Sequence, residues 1–356
     1  MRSSTLPTGS ITGGKSTICE FWRFIYMLII IGHHQYFIGA ISNWHFQSGW
    51  IAVEFFFFLT GYFTVCHFER TREPERGECA KTATQYTLRK FRRFLPYFVL
   101  AEIAEYTLDS IAIWMDTHSW TSVFQLLRNM PAELAFLGTA GFAELNLIPI
   151  WFLSAMLITL PVFCFLLLCW RKVTQYLLSW LVPILCLGCL NSCYGAATGV
   201  PCYLRAISGM LLGCCVYMLS RAMQSINWKA SGRIGLTCAE VICLAGTVAL
   251  LYVDREYDAV TLKMFLLMIF TGCVIMLSGC SYTARLNNAA VRYLGAITLP
   301  MLTLHKVVAM VINMMQFDSY RIRLLMYLGS TLAASVLFHW AVEKWKHRRE
   351  VHCIPS

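Results

Sequence analysis

FWRFIYMLIIIGHHQY, at residues 21–36, is the first long apolar run of the chain, and it contains Arg23 and His34. Eleven residues are almost three turns of an α-helix, so both side chains fall on one helical face, roughly 16 Å apart along the axis. An ionisable side chain at membrane depth usually faces a bundle interior or a water-filled cavity, and it usually marks function. The run therefore predicts a membrane helix whose functional face carries a cation at one end and a histidine near the other.

The apolar character of this run continues through the chain. The protein has 356 residues, of which 58% are hydrophobic and 13% are charged, whereas a soluble domain of that length has more charge. Apolar runs long enough to cross a bilayer recur from end to end. We therefore expect an all-α, polytopic integral membrane protein with one transmembrane domain at 19–342. We expect 1–18 to be a flexible cytoplasmic segment without the apolar core of a signal peptide, and 343–356 to be a basic cytoplasmic tail.

Hydropathy and charge together predict the topology. We expect a bundle of about ten transmembrane helices. They lie near residues 22–41, 49–67, 92–113, 148–170, 176–191, 203–220, 234–253, 263–281, 293–315 and 324–342. Lysine and arginine are concentrated in alternate loops, so the positive-inside rule places these loops and both termini in the cytoplasm. The net charge of +10 follows from these loops and does not indicate a nucleic-acid partner.

The 16 cysteines of the chain raise the question of a metal site. Most of them lie inside apolar runs, where cysteine behaves as a small hydrophobic residue. Cys186 and Cys189 have the spacing of metal ligands, but no second pair lies at a usable distance. We therefore expect no metal cofactor.

A histidine and a carboxylate are expected at matching depth. The first span runs outward and the second inward, which places His34 and Glu54 at similar distances below the outer surface. A carboxylate that accepts from one imidazole nitrogen fixes the tautomer and raises the basicity of the other nitrogen, as suits a general base. The alternative is that the two side chains only satisfy each other. His33 points about 100° away from His34, so we expect a packing or supporting role for it.

Further polar residues are expected near this pair. Trp151 and Ser154 begin the fourth span at a depth close to that of Glu54, and His305 lies near the middle of the ninth span. The third span carries an acidic stripe, which cannot face lipid, and Lys306 is expected to pair with Glu102 or Glu105. The stripe consists of Glu102, Glu105 and Asp109. Together these residues predict a polar cavity inside the bundle.

Cations cluster at the inner end of the third span, close to the expected position of Arg23. The segment RKFRRFLPY at 89–97 contributes Arg89, Arg92 and Arg93. One interpretation is a topology signal that binds anionic lipid headgroups. The other is a phosphate site, because arginine forks suit phosphate oxygens and a polyanion needs several cations.

Five motifs occur in a fixed order along the chain, and together they resemble the signature of the acyltransferase-3 family. The first is a basic residue, ten intervening residues and a histidine, matched by Arg23 and His34. AVEFFFFLTGY at 52–62 is similar to the family's Gly-Val-Asp/Glu-Phe-Phe-Phe-x-Leu-Ser-Gly-Phe helix, with Ala, Thr and Tyr at three positions. RRFLPY at 92–97 is similar to its Arg-Arg-x-x-Pro-x-Tyr element, with the tyrosine one place early. WFLSA at 151–155 matches Trp-x-Leu-Ser-Ala, and LTLH at 302–305 lacks the tyrosine of the late Tyr-Leu-x-x-His element.

The resemblance implies a membrane enzyme that O-acylates a surface glycan. Family members mostly transfer acetyl groups to bacterial surface glycans, and this chain resembles a stand-alone member without an extracytoplasmic hydrolase-like domain. Acetyl-CoA, or another short acyl-CoA, would be the donor and would dock on the cytoplasmic face. Its phosphates would be bound by Arg23, Arg89, Arg92 and Arg93.

The resemblance also suggests roles in catalysis. His34 would act either as a general base, oriented by Glu54, or as a covalent carrier of the acyl group. Trp151 would stack on a sugar ring, and Ser154 or His305 would stabilise an oxyanion. The sequence does not choose between the two mechanisms.

The expected partners are membrane lipid and a glycan or lipid-linked sugar acceptor, in a bacterial plasma membrane and with homo-oligomers as one option. The main alternative is a flippase or exporter of lipid-linked saccharides. A flippase accounts for the spans and the cavity. It does not explain why His34 is placed three turns from Arg23 and level with Glu54. A scaffold that has lost catalysis is a third reading, and the retention of both Arg23 and His34 argues against it.

Overall fold

The computed structural model describes residues 17–39, 45–71, 73–140, 146, 149, 151–190, 199–253, 260–286 and 288–352. Most of the predicted N-terminal segment and the end of the predicted tail lie outside the described residues. Within these ranges the chain forms helices and no β-strand, which confirms the all-α prediction.

Long helices alternate with short helical segments along the chain. The α-helices are α1 (Thr17–His33), α2 (Val53–Arg70), α3 (Cys79–Thr117), α4 (Trp120–Leu127), α5 (Met130–Leu134), α6 (Trp151–Cys169), α7 (Arg171–Val173), α8 (Ser179–Leu190), α9 (Val200–Gln224), α10 (Ala230–Val253), α11 (Val260–Leu277), α12 (Ala289–Ala296), α13 (Thr298–Met314) and α14 (Tyr320–His352). The 3₁₀ segments are His34–Ile38, Gly49–Ala52, Arg76–Glu78, Gly138–Ala140 and Tyr282–Arg285, and Thr174–Leu178 is π-helical.

Six of the described helical stretches are long and apolar enough to cross a membrane, or seven if α12 and α13, which meet at a 48° bend, form one span. α1 is short, with 17 residues, and the 39 residues of α3 include the cationic segment. The multi-pass membrane fold is therefore confirmed. The number of about ten spans and the cytoplasmic position of both termini stay predictions.

Helices α2 and α9 touch through their backbones. A Cβ atom on Gly61 of α2 would lie 2.0 Å from the carbonyl oxygen of Met210, and one on Gly213 of α9 would lie 2.1 Å from that of Phe58. Only glycine permits so close an approach, as in the small-residue contacts of membrane helices. Arg205 precedes Gly213 by eight positions on the same face of α9, so the contact places it against α2.

The first helix changes its winding at the candidate histidine. α1 ends at His33, and His34–Ile38 continues as a 3₁₀ helix that is closed by Gly39, whose φ of 81° lies in the left-handed region. Glycine adopts this conformation without a Cβ penalty. The 3₁₀ rise of about 2 Å per residue carries the chain ~10 Å from His34 to Gly39.

A buried carboxylate fixes the opposite end of α1. Glu240 of α10 accepts hydrogen bonds from Nε1 of Trp22 at 2.9 Å, from Oγ of Ser281 at 2.6 Å and from Oγ1 of Thr283 at 2.8 Å. A buried carboxylate needs such donors, so this network holds α1 against α10 at the residue before Arg23.

Candidate active site

The centre of the site is a pair of histidines from α13 and the end of α1. His34 and His305 are both buried, and their ring centroids are 4.9 Å apart. α13 reaches this position because it packs against α1, α3 and α14. The structure thus brings together two candidate residues that are 271 positions apart in the sequence (305 − 34).

Backbone hydrogen bonds define the tautomer of both rings. Nδ1 of His34 lies 2.8 Å from the carbonyl oxygen of Ile30, and Nδ1 of His305 lies 3.0 Å from that of Met301. A carbonyl oxygen only accepts, so each Nδ1 carries a proton and each neutral ring presents Nε2 as an acceptor. No described residue makes a hydrogen bond to Nε2 of His305. The two rings therefore present two nitrogens that can take a proton.

Aromatic side chains surround the imidazoles. Phe37 stacks on His34 at 5.2 Å with an interplanar angle of 17°, and Tyr36 lies 5.6 Å from the same ring. His33 meets His34 edge-on at 4.9 Å, and its Nδ1 donates to the carbonyl oxygen of Phe46 at 3.1 Å. His33 thus ties the chain before α2 to α1, which is a supporting contact.

Glu54 has a different partner from the one expected. Its Oε1 accepts from Nε of Arg205 at 2.8 Å, and both side chains are buried, with 2% and 1% exposed. His34 is oriented instead by the hydrogen bond that its Nδ1 donates to the carbonyl oxygen of Ile30, so the expected orientation of His34 by Glu54 is corrected. Matching depth on two helices does not fix the direction in which each side chain points around its own axis.

Arg205 is the site residue that sequence reasoning missed. Its guanidinium lies over the rings of Trp151 at 4.4 Å and Trp50 at 4.9 Å, so two indoles flank the cation that binds Glu54. The signal was present, because Arg205 interrupts the apolar run VPCYLRAISGMLLGCC at 200–215, and an arginine inside a span is expected to be functional or paired.

Trp151 and Ser154 of the Trp-x-Leu-Ser-Ala motif make separate contacts. Trp151 stacks on Arg205, whereas Oγ of Ser154 donates to the carbonyl oxygen of Phe136 at 2.5 Å and bonds to Oγ1 of Thr139 at 2.8 Å. A hydroxyl has one proton to donate. Ser154 would have to leave the Phe136 carbonyl before it donated to an oxyanion.

The acidic stripe faces the interior, as its composition predicted. Glu102 and Glu105 of α3 are fully buried, and the expected pairing of Lys306 is confirmed, because its Nζ lies 2.5 Å from Oε1 of Glu105. Nearby, the hydroxyl of Tyr106 donates to Glu133 at 2.8 Å. Since Lys306 follows His305 directly, this ion pair anchors α13 to α3 next to the histidines.

Cations from α1 and α3 meet near the N-terminal end of α1, which is the end away from His34. Arg23 is partly exposed and bonds Glu20 at 2.7 Å, while the charges of Arg23 and Arg93 both act on the ammonium group of Lys90. The three arginines predicted on α3 are exposed; they are Arg89, Arg92 and Arg93. The structure therefore joins Arg23 and this segment in one cationic surface.

The family model described as an acyltransferase domain matches residues 19–340, nearly the whole chain. The chain belongs to the acyltransferase-3 family. No curated protein and no solved structure matches it. In this acyltransferase the paired histidines lie at one end of α1 and the cationic surface at the other, and the described residues contain no group of side chains able to hold a metal ion.

Proposed function

We propose that this membrane acyltransferase transfers a short acyl group, most simply acetyl, from cytoplasmic acyl-CoA to a hydroxyl of an extracytoplasmic glycan. The observation that carries the proposal is the layout of α1. Nε2 of the buried His34 is a hydrogen-bond acceptor, and Arg23 lies three turns away within the cationic surface. A long donor with phosphates at one end and a thioester at the other suits that separation.

In the direct mechanism His34 is the general base. Its Nε2 takes the proton of the acceptor hydroxyl while the hydroxyl oxygen attacks the thioester carbonyl carbon. The carbon–sulfur bond breaks, and the CoA sulfur leaves with the proton returned by the imidazolium. The ester and the free thiol are the products, and His34 is neutral again.

In the covalent mechanism Nε2 of His34 attacks the thioester itself. The acyl group then resides on an imidazolium while CoA leaves as the thiolate, and the acceptor hydroxyl takes the acyl group in a second step. The proton of that hydroxyl, once released, neutralises the thiolate, so the products are the ester and the free thiol. Nε2 of His305 is available in this step to accept the hydroxyl proton. With its Nδ1 bonded to the Met301 carbonyl, the neutral His305 ring has no second proton, so a proton acceptor suits it better than an oxyanion donor.

The donor end is proposed to bind at the cationic surface. The CoA phosphates would be contacted by Arg23, Arg89, Arg92 and Arg93. Arginine forks match phosphate oxygens, and several of them neutralise a polyanion better than one. The Glu20 carboxylate accepts from Arg23 one turn earlier on α1, which limits the rotamers of the Arg23 side chain.

The test is transfer of labelled acetyl from acetyl-CoA to membrane or surface glycan by wild type and by His34→Ala at equal protein levels. We expect the wild type to transfer label and the variant to transfer it about 10²-fold more slowly, or slower still. His347→Ala is the matched control, because His347 is exposed near the end of α14, and it should transfer normally.

Normal transfer by a well-folded His34→Ala protein would contradict the proposal. The absence of His34-dependent label with several acyl donors would favour a flippase of lipid-linked saccharides. Thiol release from acetyl-CoA by the purified protein separates the two classes, because a flippase does not cleave a thioester.

A further inference from the structure

A row of polar atoms on α14 makes no hydrogen bond to any described residue. It comprises Nε of Arg323, the hydroxyl of Tyr327 and Oγ1 of Thr331. The spacing of four residues puts them on one helical face, with about 6 Å of rise between neighbours. Tyr327 and Thr331 are 0% and 1% exposed. A buried polar group without a partner is unfavourable and calls for an explanation.

The first part of this row lies along the 3₁₀ segment that begins at His34. Nη1 of Arg323 is 3.1 Å from the point where a Cβ on Gly39 would lie, and Tyr36 is close enough to affect the ionisation of Tyr327. The hydroxyl of Tyr320, one turn earlier on α14, donates to Oε1 of Gln35. Arg323 is therefore beside Gly39, at the end of the 3₁₀ segment opposite His34, and Tyr327 lies one turn farther along α14.

Arg323 also differs from the other buried cations of the site in its electrostatics. Arg23, Arg205 and Lys306 each bind a glutamate, whereas no described carboxylate pairs with the partly buried Arg323. A guanidinium fork suits the two oxygens of a carboxylate or a phosphate. Its place against Gly39 puts this preference beside the 3₁₀ segment that leads to His34.

We infer that Arg323, Tyr327 and Thr331 bind the acceptor, and that the acceptor is an acidic saccharide whose carboxylate or phosphate is held by Arg323. Tyr327 and Thr331 supply hydrogen bonds to its hydroxyl groups, which are numerous on a saccharide, while one hydroxyl reaches His34. The inference rests on the proposed function in one respect, because it takes the ligand of this pocket to be the acceptor.

Direct binding tests the inference without turnover. The full chain, in nanodiscs of phosphatidylcholine, is titrated with methyl glucuronide, glucose 6-phosphate and methyl glucoside, with tryptophan fluorescence as the readout. We expect an acidic sugar to bind at least about tenfold more tightly than the neutral glucoside. Which of the two acidic sugars binds identifies the anion as carboxylate or phosphate.

Variants assign the preference to the row. Arg323→Gln should abolish the preference for the acidic sugar, and Arg323→Lys should keep part of it, because lysine retains the charge without the fork. Tyr327→Phe removes one hydroxyl and should weaken the binding of all three sugars by the same factor. Arg321→Gln is the matched control, since Arg321 is exposed two positions away. A preference that survives in Arg323→Gln, or equal binding of glucoside and acidic sugars to wild type, would overturn the inference.

Two further comparisons separate the remaining outcomes. If phosphatidylglycerol in the nanodisc displaces the acidic sugar from wild type, Arg323 binds a lipid headgroup and the acceptor inference fails. Acetyl transfer by Arg323→Gln should show an acceptor KM raised about tenfold with little change in kcat. If wild type binds acidic sugar through Arg323 but transfers no acetyl group, the proposed function fails while the saccharide site stands.

Discussion

Glu54 on α2 and Arg205 on α9 are 151 positions apart in the sequence, and a hydrogen bond of 2.8 Å joins them inside the bundle. The pair lies on the same α2–α9 interface, about two turns from the contact where Gly61 and Gly213 bring the two backbones together. Each ion of this buried pair needs the other as its counter-charge, because either ion alone would be buried without one. The stacking of Arg205 on Trp151 extends the same unit to α6.

The first prediction concerns this pair. Arg205→Met should destabilise the protein by about 3–5 kcal/mol, because it leaves the Glu54 carboxylate buried without its cation. Thermal unfolding of the purified protein in detergent measures the loss. Glu54→Gln/Arg205→Met should recover much of the stability, since neither ion then remains, and a strictly additive double variant would contradict the coupling.

The same double variant separates stability from function. We expect it to fold and to show a raised KM for the acceptor with an unchanged KM for acyl-CoA, because Trp151 no longer stacks on a guanidinium. This assigns Glu54 and Arg205 a positioning role. An unchanged acceptor KM would leave the pair with a structural role alone.

The sequence predicted the features that depend on depth and composition. An acidic stripe cannot face lipid and needs counter-charges, so a pair of Lys306 with Glu102 or Glu105 was expected from charge; the structure selects Glu105. The partner of Glu54 did not follow, because depth along two helices leaves their rotation undefined. The juxtaposition of His34 and His305 likewise depends on how α13 packs against α1, which no local pattern encodes.

The second prediction concerns the two histidines. His305→Ala should lower kcat by about 10²-fold with an unchanged KM for acyl-CoA, because it removes one of the two proton-accepting nitrogens of the pocket. Residues that act as a unit are not additive, so His34→Ala/His305→Ala should be no slower than His34→Ala. Steady-state transfer of labelled acetyl measures all three proteins. A double variant that is slower by the product of both losses would show that the histidines act independently.

The third prediction concerns the donor site. Arg23→Gln should raise the KM for acetyl-CoA, by about tenfold if one charge-assisted bond to phosphate is lost. It should leave the KM for acetyl-pantetheine unchanged, because that donor lacks the nucleotide phosphates. Lys172→Gln serves as the control, since Lys172 is an exposed cation on a different loop. An equal rise for both donors would show that Arg23 acts on the thioester end or on the fold.

The last prediction concerns the contact that supports the site. A Cβ on Gly213 would lie 2.1 Å from the carbonyl oxygen of Phe58, whereas one on Gly329 of α14 would meet nothing within 4 Å. Gly213→Ala must push α9 away from α2, and overpacking of this kind lowers the stability by about 1–3 kcal/mol. Gly329→Ala should leave the unfolding temperature unchanged or raise it, because alanine is a better helix former than glycine. Because the same shift separates Arg205 from Glu54, we expect Gly213→Ala to lose acyl transfer at temperatures where the protein is still folded. Equal unfolding temperatures for the two alanine variants would show that α2 and α9 are not in backbone contact.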